Sequence, residues 1–277
     1  MKIVTSVYEL NYEESRSGNV YKNFSLLTHT LRNIIFDEYE YVIYTDKKTY
    51  EKHNMSKIFN KPNIKIKFME LNSEFYVKTL NPIRTRIFNS QEIYDRIYTV
   101  KNYIEVILNK LKILELESEE NKNTVWIDSG LFGTSCHDGW RDYMVKIAHT
   151  KNFLDKINEK INSNGFICLK GNGIHLNGII KNNFRNLFNK NVQVVPGGLF
   201  GGNHSKIVDI LKNHQQVIET YIKTFNDIIS EQEILHILTL DKNVKYYEFE
   251  DWLDFQKGIL EIMDLLNPNY TRDKCYN

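Results

Sequence analysis

An apolar run that stops abruptly at an acid, Trp126-Ile127-Asp128-Ser129-Gly130-Leu131, is the sharpest chemical signal in the chain. A buried-type strand ending in a carboxylate and then a glycine places that carboxylate at the carboxyl edge of a sheet, where open α/β sheets bind their ligands. Asp128 there can hold a divalent cation. Hard Mg2+ or Mn2+ takes one or two carboxylates and fills its other positions with phosphate oxygens and water. The competing reading makes Asp128 the cap of the next helix or turn, with Gly130 supplying a positive φ.

Two further segments carry chemistry. Ser230-Glu231-Gln232-Glu233 opens a helical pattern, and Ser230 with Glu233 has capping-box spacing, so Glu233 reads as a capping residue. That leaves Glu231 and Gln232 in the first turn, where a carboxylate can orient an acceptor hydroxyl or act as a base. The run Gly197-Gly198-Leu199-Phe200-Gly201-Gly202 has four glycines in six residues. Glycines permit close backbone approach, either to a ligand such as a sugar ring or within a tight strand-to-helix turn. It is not a phosphate loop, since GxGxxG spacing and a following Lys-Ser/Thr are both absent.

The elements that must position these residues read as an α/β alternation. Apolar β-prone runs at Lys2–Val7, Tyr41–Tyr44 and Ile64–Phe68 alternate with helical patterns, one through Phe24, Leu27 and Leu31 and one over Lys48–Phe59. That alternation implies parallel pairing with right-handed crossovers. A helical stretch from Asn89 to about Leu116, broken near Tyr98, leads to the strand Thr124–Ile127. Then come a helix from Trp140 to Lys160, a strand Phe166–Leu169, and Gln193-Val194-Val195 leading into Pro196 and the glycine run. Helices over Ser205–Ile229 and Glu231–Leu240 precede a last strand, Val244–Tyr247. No repeat, low-complexity linker or composition break divides the 277 residues, so one domain is expected over 1–277, with 249–277 a C-terminal tail or helix.

Composition narrows the function classes. Hydrophobic residues make up 42% and charged residues 26%, the proportions of a globular protein with a sizeable core. Lys+Arg (36) nearly cancels Asp+Glu (35), so no electrostatic footprint for duplex nucleic acid is expected, although a diphosphate needs only a local pocket of two or three cations. Cys136, Cys168 and Cys275 stand far apart, which argues against a disulfide framework and a structural zinc site and for a reducing, cytoplasmic compartment. No signal peptide and no membrane-spanning run is expected.

The motifs also carry a family resemblance. WIDSGL resembles the W-x-D-x-G segment of the bacterial HtrL/YibB-like family, itself similar to GT-A-fold glycosyltransferases. Ile3–Glu9 resembles the family's opening strand, and Val42-Ile43-Tyr44-Thr45-Asp46 its second. Asn109-Lys110 with Ile113-Leu114 is similar to a lysine-bearing helix upstream of the acid. Gly197–Gly202 resembles a G-x-F-G-G strand end, and Ser230–Leu235 a T/S-D-E helix start. The resemblance covers residues 1 to about 248.

It implies a GT-A-like, Rossmann-related fold with a mixed, mainly parallel central sheet flanked by helices. It also implies a metal-assisted transfer of sugar from a nucleotide-diphosphate donor, UDP-linked most often, to a glycan or other hydroxyl acceptor. An Asp-x-Asp motif holds the cation in such folds. Here the third position is Gly130, so one Mn2+ or Mg2+ would rest on Asp128, with His204 and His236 as candidates for further ligands. Lys110 and then Arg86 are the phosphate candidates, set against solvated surface charge, Arg84 and Arg86 being assigned to a loop after the third strand. Thr5, Ser6, Val7 and Asp46 would hold the nucleoside at the strand edges, against an ordinary turn role for Asp46. The backbone around Ile127, Ser129, Gly130, Gly198, Leu199 and Phe200 would line the donor site. Two alternatives stay open: a sugar nucleotidyltransferase, although Val7–Glu14 lacks the glycine-rich phosphate loop expected of one, and a non-catalytic relative that binds carbohydrate or a partner.

Overall fold

The computed structural model describes residues 1–10, 31, 35–89, 101–129, 151–169, 197–239 and 245–247. Its strands are β1 (Lys2–Ser6), β2 (Glu40–Thr45), β3 (Ile64–Phe68), β4 (Thr124–Ile127), β5 (Phe166–Leu169), β6 (Leu199–Gly202) and β7 (Lys245–Tyr247). Its helices are α1 (Lys47–Lys52), α2 (Met55–Ile58), α3 (Asn81–Asn89), α4 (Tyr103–Glu117), α5 (Lys151–Asn164), α6 (His204–Leu211), α7 (His214–Phe225) and α8 (Glu231–Thr239), with a π-helical turn, Tyr76–Leu80, running into α3.

The strands form one seven-stranded sheet in the order β3-β2-β1-β4-β6-β5-β7. Pairing is parallel at β1/β2, β1/β4, β2/β3 and β5/β7 and antiparallel where β6 lies between β4 and β5. This is the expected mixed, mainly parallel α/β sheet flanked by helices. The chain runs outward from β1 to β3 and then returns to place β4 on the other side of β1. That reversal creates a switch point between β1 and β4, and ligand crevices open beyond the carboxyl ends of strands at such points.

Side-chain alternation sends the strands into two cores. Val4, Val42, Trp126 and Phe200 pack with α4, α6, α7, α8 and the π turn, while Ile3, Tyr41, Ile43, Val125, Ile127 and Leu199 pack with Met55, Phe59 and α5. Covered on both faces, β1 and β4 are buried along their whole length around the apolar centres Ile3-Val4 and Val125-Trp126-Ile127. The edge strand β3 instead exposes Lys65 and Lys67, charges that discourage edge-to-edge pairing. Among the described residues no helix is long and apolar enough to cross a membrane.

The element boundaries differ from the sequence expectation in instructive ways. The single helix expected over Lys48–Phe59 is split where Asn54 takes a left-handed φ of 49°. The helix expected over Ser205–Ile229 is likewise two, with Asn213 leaving helical geometry between α6 and α7. Segment 81–86, expected as a loop after the third strand, is helical. Pro82 is the second residue of α3, where proline is tolerated, and it directly follows a π-helical turn in which Asn81 N–H donates to the Tyr76 carbonyl. Helix α5 runs on to Asn164 and is stopped by Gly165, whose φ of 81° suits a helix C-terminus. Phe24, Leu27, Trp140, Gln193–Pro196 and 249–277 lie outside the described residues.

The glycine run is not a turn at its carboxyl end but a strand. A Cβ on Gly201 would stand 2.6 Å from Val125 Cα and collide with the Thr124 carbonyl oxygen, and one on Gly202 would meet Phe166 Cα at 3.1 Å and the Gly165 carbonyl oxygen. These two glycines let neighbouring backbones close up, rather than leaving space for a sugar. Gly201→Ala is therefore expected to lower stability by about 1–3 kcal/mol, the usual cost of overpacking against rigid backbone. Urea unfolding would read this as a lower midpoint with an unchanged slope.

Candidate functional site

Strand β4 delivers Asp128 to the sheet's carboxyl edge, where the Asp128 N–H donates to the Gly198 carbonyl at 2.9 Å and extends the β4/β6 ladder by one bond. Successive strand residues alternate faces, so Asp128 projects on the same side as Trp126, toward α4 and α8. The Trp126 indole Nε1–H donates to Asp128 Oδ1 at 2.6 Å. The Lys110 ammonium donates to Asp128 Oδ2 at 3.0 Å.

Lys110 comes from the middle of α4. Ile107, Lys110 and Leu114 share one stripe of the helix, so the lysine stands among the residues that face the sheet. Its ammonium also reaches Glu231 Oε1 at 2.8 Å and the Gly197 carbonyl at 3.5 Å. Side-chain exposure is 8% for Lys110, 5% for Glu231 and 31% for Asp128, so the first two are enclosed and only Asp128 meets solvent. Burial by itself would lower the Lys110 pKa, but the attraction of Asp128 and Glu231 outweighs it and holds the ammonium above the ordinary lysine value. Two carboxylates against one ammonium leave the cluster one formal negative charge in surplus.

Glu231 is the first residue of α8. Ser230 ahead of it donates its N–H to Glu233 Oε2 at 2.6 Å and its hydroxyl to the same carboxylate, as the capping spacing predicts. Desolvation raises the pKa of the enclosed Glu233 against the pull of those hydrogen bonds. Gly197 makes room for Glu231: a Cβ there would lie 2.7 Å from Glu231 Cγ. This shaping role, like the Trp126 contact, was not anticipated from sequence. The available signal was the tryptophan two positions before the acid, on the same face of a strand.

The structure thus brings together Asp128, Lys110, Glu231 and the Gly197-Gly198 backbone, with Ser129 half-buried at the strand end and Gln232 half-buried next to Glu231. Within this cluster the contacts differ from those expected, and several other expected site residues lie outside it. Lys110 is no solvated lysine, and with its donors turned to Asp128, Glu231 and Gly197 it is not poised as a free phosphate contact. Glu231, enclosed against Lys110, does not present a base to solvent.

Asp46 caps α1, its Oδ1 accepting from Thr49 N–H at 2.5 Å, the local contact that the turn reading expects. Thr5 and Ser6, at the end of the interior strand β1, and Val7 just after it are buried. Arg86 donates to the Asn226 carbonyl at the end of α7, where a cation complements the helix dipole, rather than to the site. Ile127 and Leu199 fill one core, and Phe200 stacks on Trp126 in the other, with centroids 6.3 Å apart and planes at 22°.

Neither histidine completes a shell around Asp128. His204 follows Gly202, which pairs with Thr124 at the opposite end of β4, about 13 Å of strand from Asp128, and its Nδ1 lies 3.1 Å from Ser118 Oγ. His236 is buried five positions beyond Glu231, roughly 140° further around α8. Among the described residues no group of three His, Cys, Asp or Glu could hold a metal ion. Gly130 lies outside the described residues.

No protein-family model matches the chain, and no curated protein matches it. Similar solved structures include an active-site mutant of LgtC, at 12% identity and a TM-score of 0.45, covering 89% of this chain and 72% of that one. Mouse xyloside xylosyltransferase 1 is similar at 7% identity and a TM-score of 0.45, over 90% of this chain and 86% of that one. The 4-diphosphocytidyl-2C-methyl-D-erythritol synthase of Anaerococcus prevotii is similar at 12% identity and a TM-score of 0.40, over 89% and 86%. Likenesses at this level concern the fold and carry nothing about chemistry.

Proposed function

We propose that the chain is a GT-A-like glycosyltransferase of HtrL/YibB-like type, transferring sugar from a nucleotide-diphosphate donor, UDP-linked, to a hydroxyl of a glycan or other acceptor. The observation that carries this reading is the placement of Asp128: a solvent-reaching carboxylate at the switch-point edge, held from below by two enclosed donors. Its two oxygens each carry one internal hydrogen bond, so each keeps a lone pair for a cation. One Mg2+ or Mn2+ would rest on Asp128 and take its other ligands from donor phosphates and water, the regime these hard cations favour.

The surplus negative charge supports the same reading. A diphosphate meets repulsion at this cluster unless a cation accompanies it. Bound there, the cation supplies electrostatic stabilisation for the charge that grows on the departing nucleoside diphosphate. The chain's own contribution is positional: Lys110 and Trp126 fix Asp128, and Glu231 holds Lys110.

The test is donor turnover over a panel of UDP-, GDP- and CMP-sugars with and without Mn2+. Metal-dependent hydrolysis or transfer with one nucleotide class is the expected result. Release of pyrophosphate from a sugar phosphate and a nucleoside triphosphate would instead assign a nucleotidyltransferase. Absence of any turnover or metal-dependent donor binding would assign a non-catalytic relative.

A further inference from the structure

We infer that Trp126 is a positioning residue for Asp128: its indole N–H sets the direction of the carboxylate and thereby the affinity of the site for a metal-bound nucleoside diphosphate. The inference rests on the function proposed above and deepens it.

Trp126 is fully buried. A buried indole N–H needs a partner, and here it has a charged one, which makes the bond short and strong. The ring itself cannot swing, because it stacks on Phe200 within the same core. Strand geometry puts Trp126 and Asp128 on one face, and the Asp128 N–H is latched to Gly198, so both ends of the contact are fixed. Lys110 takes the other oxygen from a different element. With one donor on each oxygen from within the protein, the carboxylate plane is set and the remaining lone pairs point outward. Loss of the indole donor frees one oxygen to rotate and leaves only Lys110 to orient the group. Partners that orient a ligating carboxylate in this way typically contribute about 10–100-fold in metal affinity.

Two substitutions separate donor from bulk. Trp126→Phe keeps an apolar ring and loses the N–H. Trp126→His loses more volume, but its five-membered ring overlays the pyrrole half of indole, with Nε2 at the place of Nε1. Calorimetric titration of UDP in the presence of Mn2+ is expected to show the histidine variant binding more tightly than the phenylalanine one, with Trp126→Phe about 10–100-fold weaker than wild type. The reverse ranking, which pure packing predicts, overturns the inference.

A second measurement reads the wild-type protein, with Asp128→Asn serving to assign the resonance, and so does not depend on either Trp126 variant folding. The indole 15N–1H resonance that moves in Asp128→Asn should also move when UDP and diamagnetic Mg2+ are added. If none of the three indole resonances shifts on that addition, the inference fails. Binding that depends on Asp128 but not on Trp126 overturns this inference alone. Binding that ignores Asp128 overturns the proposed function as well.

Discussion

Methionine in place of Lys110 is expected to destabilise the fold by about 3–5 kcal/mol, the usual consequence of leaving a buried charge without its partner. Methionine fills much of the same volume, so the loss is electrostatic rather than a cavity. Glu231, with its side chain 5% exposed, would face an apolar neighbour, while Asp128, 31% exposed, could recover water. Glu231 is therefore the source of the penalty. The double variant Lys110→Met/Glu231→Leu removes both buried charges and should regain most of the loss, because well-packed apolar replacements of buried pairs are often neutral.

The pH dependence has a definite sign. Lys110 sits above the ordinary lysine value in the fold, so its contribution is complete below the unfolded pKa of 10.5 and declines only as pH rises through the higher folded value. The stability gap between wild type and Lys110→Met, from urea midpoints, should thus stay constant from about neutrality to about pH 10 and narrow above that. A gap under about 1 kcal/mol at neutral pH would mean that the ammonium is solvated, as in an exposed ion pair.

Asp128→Asn is expected to lower turnover of the nucleotide-sugar donor by about two to three orders of magnitude, the typical cost of losing one preorganised electrostatic partner of a developing negative charge. The substitution keeps shape and one hydrogen-bonding oxygen but removes the charge on which the proposed cation would rest. Stability should fall by only about 1 kcal/mol, the scale of a single hydrogen bond, since Lys110 retains Glu231. Catalytic loss without unfolding is the signature. Glu231→Gln should cost less in rate, because Glu231 touches Lys110 and not the reacting groups.

Much of this was legible in the amino-acid order. The strands β1, β2 and β4 were readable because their apolar centres, Ile3-Val4, Tyr41–Tyr44 and Val125–Ile127, are covered on both faces, and the acid after Ile127 marked the edge. The Ser230–Glu233 cap was readable because it is a local contact at fixed spacing. What escaped were contacts between elements distant in sequence. Nothing in the local pattern around Lys110 says that α8 brings Glu231 within 2.8 Å of it, although a lysine on the Ile107–Leu114 stripe hinted at burial. The glycine run stayed ambiguous for a related reason. It was open to a ligand or to a tight turn, whereas at Gly201 and Gly202 the approaching groups are Val125 and Phe166 of adjacent strands, and a sequence does not say which neighbour a glycine makes room for. Asp46, His204 and Arg86 have residue types suited to a site but local or remote structural partners, so type and order alone could not sort them.

The most direct measurement is the heat of UDP binding to wild type and to Asp128→Asn, each with and without Mn2+. A saturable heat in wild type that requires the cation, and that disappears in Asp128→Asn while the variant stays folded, is the predicted outcome. Equal heats in the two proteins, or no UDP binding to wild type at any Mn2+ concentration, would contradict the role assigned to this carboxylate.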